Sequence, residues 1–399
     1  MKFLKLFTYY MPLLLVGMLM GPFSSLLFMV FMHFPIVAPE LIFIPFFLFR
    51  YKKYGISLEH KITFGPVIFI WAIFLVIAII WGTWSYMAIL STGRSFLILG
   101  LFYVIGKKIR FDDALARLLL VCSIGSLIGW LIKSYFNFQM LAFVDAHEEA
   151  VVYGNMVAIA FAFSISLLMR SNYMTVIIIF AINIILSFTS SLRRQISVSV
   201  MSMILSLSML TVRNRKFSYL IVIALISIPL YMVLPQIEST IEDTNATMYY
   251  RIFERSQNLL EGDLGNSEKG RIDNQKKIFE DFLELIIPHG YVSQQTSRDV
   301  GTGIFNDVPL YMLAYTFGIL TLFVYLLYYI RNLIITFMRF NKYNNPYYGV
   351  IFVVGIVVLF LHFVDAQMFM VSYTAPFTGL TLGLLFRKSL ITSKSHYKI

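Results

Sequence analysis

The sequence predicts an all-α polytopic membrane protein of about twelve transmembrane helices with one large external loop. Three observations carry that fold class. The chain is 59% hydrophobic and 17% aromatic but only 13% charged, against about 25% charged in a soluble domain. Runs of about 20 apolar residues recur along it, each long enough to cross roughly 30 Å of hydrocarbon. The alternating, roughly ten-residue segments of a β-barrel are absent, so the backbone must satisfy its own hydrogen bonds within helices.

The expected spans are 7–31, 36–49, 64–82, 86–105, 114–133, 150–169, 173–190, 196–212, 217–234, 306–330, 347–365 and 370–386. The first follows Lys2 and Lys5 and runs on to Phe34. It is too long for a signal-peptide core and has no small-residue cleavage site, so it reads as a retained span. Pro12 and Pro22 are expected to kink it, as Pro39 and Pro45 are the second. These spans divide the chain into helices one to nine (1–234), an external loop (235–305) and helices ten to twelve with a tail (306–399).

Orientation follows from the placement of Lys and Arg. With the N-terminus in the cytoplasm, every cytoplasmic loop is basic: Lys52 and Lys53, Lys107 to Arg110, Arg170, Arg213 to Lys216, Arg331 to Lys342, and the tail from Arg387. Both termini are expected inside. The net charge of +11 is thereby a topology signal, and no nucleic-acid partner is expected. The single cysteine, Cys122, lies in an apolar run, which excludes a disulfide framework and a cysteine metal site.

The loop 235–305 holds twelve acidic and seven basic residues. Within it Phe279, Phe282, Leu283 and Ile286 recur at helical spacing. Residues 272–287 therefore read as an amphipathic helix lying on the membrane or on the bundle, ended by Pro288 and Gly290.

Candidate chemistry lies on this outer side. Arg193 and Arg194, at the outer end of the seventh span, run against the charge bias. Snorkelling to lipid phosphates accounts for such a pair; so does an anion clamp, since a guanidinium fork grips phosphate with two donors. Arg271 opens the amphipathic segment, and Arg298 is a further external cation. His289, in the turn after Pro288, and Asp307, at the start of the tenth span, are candidate general bases. His362 and Asp365 share a helix face at a spacing of three, and a structural pair is the expected use. A phosphate-cradling Gly-rich loop, metal-ligand spacing and a serine nucleophile elbow are all missing. No metal or cofactor is expected.

The architecture resembles the O-antigen polymerase (Wzy-type) and O-antigen ligase superfamily of bacterial envelope glycosyltransferases. Three stretches carry the resemblance: Thr189 to Ile196, Arg271 to Gly290, and Asn306 to the glycine turn at Gly318. The ligase branch has a His separated from that glycine by ten intervening residues; Asp307 stands there in this chain, which favours the polymerase branch. The resemblance implies a donor glycan on undecaprenyl diphosphate at the outer leaflet of the bacterial cytoplasmic (inner) membrane. A hydroxyl of the next lipid-linked repeat unit would attack its anomeric carbon and the lipid diphosphate would leave. Arg193, Arg194, Arg271 and Arg298 would then hold diphosphate, with Asp307 or His289 near the acceptor. A chain-length-regulating co-polymerase is an implied partner beside membrane lipids. A ligase acting on another acceptor and a flippase of lipid-linked oligosaccharide are the competing readings. A flippase is expected to keep its key charges in a central cavity, and only Arg94 lies well inside a span.

Overall fold

The computed structural model describes residues 10–18, 62–81, 86–140, 156–169, 173–190, 193–216, 221, 235–236, 238–240, 242–243, 249–254, 276–291, 308–364 and 374–387. Every regular element among them is helical: α1 (Gly65–Ile80), α2 (Tyr86–Lys108), α3 (Asp113–Met140), α4 (Met156–Leu168), α5 (Tyr173–Ser190), α6 (Arg193–Asn214), α7 (Pro309–Phe317), α8 (Ile319–Tyr343), α9 (Pro346–Val364) and α10 (Ala375–Leu385). Residues 10–18 are helical as well. Asp113–Ile132, Arg194–Asn214, Ile319–Tyr343 and Pro346–Val364 are long and apolar enough to cross a membrane. Gly65–Ile80, Met156–Leu168, Tyr173–Ser187 and Ala375–Leu385 are shorter apolar helices. The expected second span and nearly all of the ninth lie outside the described residues.

Helix α4 is apolar all round, and only Leu167 of its thirteen residues escapes full burial. Such a helix belongs at a centre. It packs against α6, α9 and α3. Helix α10 is buried along its whole length and lies closest against α2. Small residues explain that approach. A Cβ on Gly379 would strike the Leu99 carbonyl, one on Gly383 the Tyr103 carbonyl, and one on Gly106 the carbonyl oxygen of Leu380 at 2.6 Å. Gly379 and Gly383 are four apart, the spacing that lets two apolar helices meet backbone to backbone. Helices α1, α5 and α8 present the outer surface. Phe69, Ile80, Ile177, Phe323, Val324 and Met338 are exposed apolar side chains there.

One end of the bundle is tied by arginines to helix C-termini, whose last carbonyls lack partners within the helix. Arg213 Nη1 donates to the Leu168 carbonyl at 2.6 Å, Arg387 to the carbonyl of Ile109, and Arg339 to that of Arg387 at 3.4 Å. At the same end Tyr347 donates to the Asp113 carboxylate at 2.9 Å. Residues expected to mark the cytoplasmic face thus also cap helices.

The structure corrects the expected tenth span. Residues 306–330 are not one helix: α7 stops at Phe317 and α8 starts at Ile319, with Gly318 between them at φ 86°, ψ 142°. That backbone region is essentially open to glycine alone. The helix then continues to Tyr343, so Arg331, Arg339 and Lys342 are helical residues rather than loop residues. The amphipathic segment is not one regular helix over its described part. Residues 276–280 are α-helical and a turn leads to a 3₁₀ turn at Glu284–Ile286, while 272–275 lie outside the described residues.

Candidate functional site

The segment Ile287 to Tyr291 docks at the bundle end opposite the arginine caps. Ile287 is extended at φ −90°, ψ 125°, which ends the helical run. Gly290 then takes φ 84° and lies against the backbone of α1, where a Cβ would meet the Phe74 carbonyl oxygen at 2.6 Å. Only glycine permits both the turn and the approach. Two backbone bonds fix the segment to α7: His289 N–H to the Tyr315 carbonyl at 2.9 Å and Gly290 N–H to that of Thr316 at 3.3 Å. Tyr291 fills the notch beyond. It stacks on Phe96 of α2 at 5.3 Å and meets Phe74 of α1 at 6.2 Å. Gly93 makes room for the ring, and Trp71 donates to the Gly93 carbonyl at 2.7 Å.

His289 is 4% exposed and lies between two rings. Tyr315 stacks on it at 4.1 Å and 20°, and Trp81 lies at 4.4 Å and 39°. Its Nε2 stands 4.0 Å from a carboxylate oxygen of Glu284, whose side chain is 59% exposed. Its Nδ1 is buried and makes no well-formed hydrogen bond among the described residues. Burial holds the imidazole below its ordinary pKa, while Glu284 and the backbone of Tyr315 and Ile287 pull the other way. The sequence places His289 as an open external base. The structure encloses it, with only the Nε2 edge facing an exposed group. An oxygen about 2.8 Å from both Nε2 and the Glu284 oxygen completes a triangle across that edge. The pair has the geometry to share a hydroxyl proton.

Arg194 is half-buried in the first turn of α6. Arg193 is the first residue of that helix, and its side chain lies outside the described residues, as do Arg271, Arg298 and Asp307 entirely. The next residue, Gln195, is fully buried and fixes the helix start. Its Nε2 donates to Asn183 Oδ1 at 2.9 Å, and Asn183 Nδ2 donates to Ser199 Oγ. This side-chain network ties α5 to α6 beneath the arginine pair. Arg94 is half-buried on α2, between Gly93 and the buried Ser95.

His362 is used structurally. Val358 can only accept, so Nδ1 donates to its carbonyl at 2.6 Å and Nε2 accepts from Tyr325 at 2.8 Å. The expected partner Asp365 lies outside the described residues. Among the described residues no three His, Cys, Asp or Glu side chains gather as a metal site.

Reasoning from sequence missed Glu284, Trp81 and Tyr315. Glu284 stands five residues before His289 near the end of a helical run, a signal that existed. Trp81 and Tyr315 carry no such mark, because their role arises only when three distant segments meet. By fold this chain is a helical protein, and four of its described helices are long and apolar enough to cross a membrane. No family model matches it, and neither curated proteins nor solved structures provide a match.

Proposed function

We propose that the chain polymerises undecaprenyl-diphosphate-linked repeat units into a surface polysaccharide, O-antigen or capsule, at the outer leaflet of the bacterial inner membrane. The observation that supports this best is the Glu284–His289 pair, held 4.0 Å apart at the bundle end opposite the arginine caps. In this reading twelve spans carry both termini in the cytoplasm, and the site faces outward. The acceptor hydroxyl gives its proton to His289, positioned by Glu284, or to Asp307. Its oxygen bonds to the anomeric carbon of the donor glycan, and the bond to the lipid diphosphate breaks. The departing diphosphate gathers charge, which Arg193, Arg194, Arg271 and Arg298 offset. The donor is already activated, so the reaction requires no nucleotide sugar.

Deleting the gene tests this. The expected outcome is a single repeat unit on the cell surface in place of long chains, with Arg271→Ala giving the same phenotype at normal expression. Loss of all surface glycan with units held on the inner leaflet would favour a flippase instead. Unattached long chains would favour a ligase.

A further inference from the structure

The docked segment has three faces, and among the described residues only two have an evident partner. At helical spacing, Ile278, Asp281 and Leu285 point to the protein. Ile278 packs against the core, Leu285 is fully buried, and Asp281 accepts a hydrogen bond from Tyr311 at 2.8 Å. Lys276, Glu280 and Glu284 form a second face that is polar and exposed. Phe279, Phe282, Leu283 and Ile286 form the third. All are exposed, Phe279 at 81% and Leu283 at 80%, and exposed Ile287 extends the strip.

The third face does not stand alone. The 3₁₀ turn at Glu284–Ile286 sits on Gly318, where a Cβ would lie 3.1 Å from the Ile286 carbonyl oxygen. Immediately beyond, the first turns of α8 expose Leu320, Phe323 and Val324, and the end of α1 exposes Ile80 and Trp81. The apolar strip of the segment therefore continues the outward apolar bands of two helices. An isolated patch in water would be a cost without a return. A segment with one protein face, one polar face and one apolar face has the pattern of an interfacial helix.

We infer that residues 276–287 are inserted edgewise into the bilayer interface, with Phe279, Phe282, Leu283 and Ile286 among lipid acyl chains. The partner is a lipid surface. The polar face of Lys276, Glu280 and Glu284 stays in water, and Lys276 reaches the headgroup phosphates. This holds whether or not the chain polymerises glycans. It adds that the turn bearing His289 is fixed at headgroup depth from two sides, by α7 and by lipid.

The test uses the full chain, with Phe279→Cys, Leu283→Cys and Glu280→Cys made singly. Each is labelled with an environment-sensitive fluorophore in phosphatidylcholine–phosphatidylglycerol vesicles. The unsubstituted chain, whose Cys122 is buried, serves as the blank. Labels at 279 and 283 are expected to emit at shorter wavelength than the label at 280. They should be quenched several-fold more by lipids spin-labelled near the headgroup than by aqueous iodide, and the 280 label should show the reverse. Iodide quenching of all three labels alike would overturn the inference. So would protection from both quenchers together with cross-linking of 279 between chains, which would assign the strip to a second copy.

Discussion

At His289, burial and a neighbouring carboxylate act in opposite directions on one ring. Burial is the larger effect, so the native imidazole titrates below its ordinary value of 6.5. The sign for stability follows. Above 6.5 both folded and unfolded chains hold the ring neutral. As pH falls through that value the unfolded chain takes up the proton first, and the docked turn loses stability. On the proposed reading of His289 as the base, the sign for activity is the same, because a base must be neutral. Polymerisation measured in vesicles is then expected to keep its rate down to below pH 6.5 and then decline. Glu284 raises the folded pKa, so Glu284→Gln should move that acid limb to still lower pH while reducing the plateau rate. An unmoved limb would remove Glu284 from the site. Tyr311→Phe tests the other anchor of the segment. Losing its bond to Asp281 should cost roughly 1 kcal/mol, read as a small fall in unfolding temperature in detergent.

At the scale of elements, two glycines decide where the docked segment meets the bundle. Gly318 divides α7 from α8 in a conformation that costs other residues about 1–3 kcal/mol. Its substitution to Ala adds a Cβ 3.1 Å from the Ile286 carbonyl. Gly318→Ala should therefore lower the unfolding temperature and expose the 281–291 segment to protease before the helices melt. The sequence carried part of this. Pro288 and Gly290 mark the end of the amphipathic run, and Gly318 was readable as a turn through family resemblance. Hydropathy alone ran 306–330 together, because apolar residues continue unbroken across Gly318 and lipid-facing length does not register one φ angle. Periodicity likewise found the strip Phe279, Phe282, Leu283 and Ile286 but not its direction. Burial of Leu285 between those positions, and the Tyr311 bond to Asp281, are what turn the strip outward. The Glu284–His289 pair was half legible, since the imidazole stood out in a turn while its enclosing rings came from 81 and 315.

At the scale of the whole molecule, the chain keeps two chemically distinct ends. One gathers Arg213, Arg339 and Arg387 on backbone carbonyls at or just past helix ends, and the other gathers the rings around His289. Between them the bundle is held by close backbone contact, which Gly383→Leu should disrupt. The leucine has no space between α10 and α2, so the protein should fail to accumulate in membranes. Gly65→Ala, whose Cβ meets open space, should accumulate normally. The expected alternation of spans rests on charge placement, since each basic cluster recurs after two expected spans. It left the absolute direction to the rule that basic loops stay inside. That direction is measurable because Cys122, the one cysteine, is buried and silent to reagents. Ser267→Cys, in the loop expected outside, should react with an impermeant maleimide on intact cells. Lys342→Cys, exposed at the end of α8, should react only after permeabilisation. The opposite pattern would put the Glu284–His289 pair on the cytoplasmic side, where a glycan already carried to the outer leaflet could not reach it.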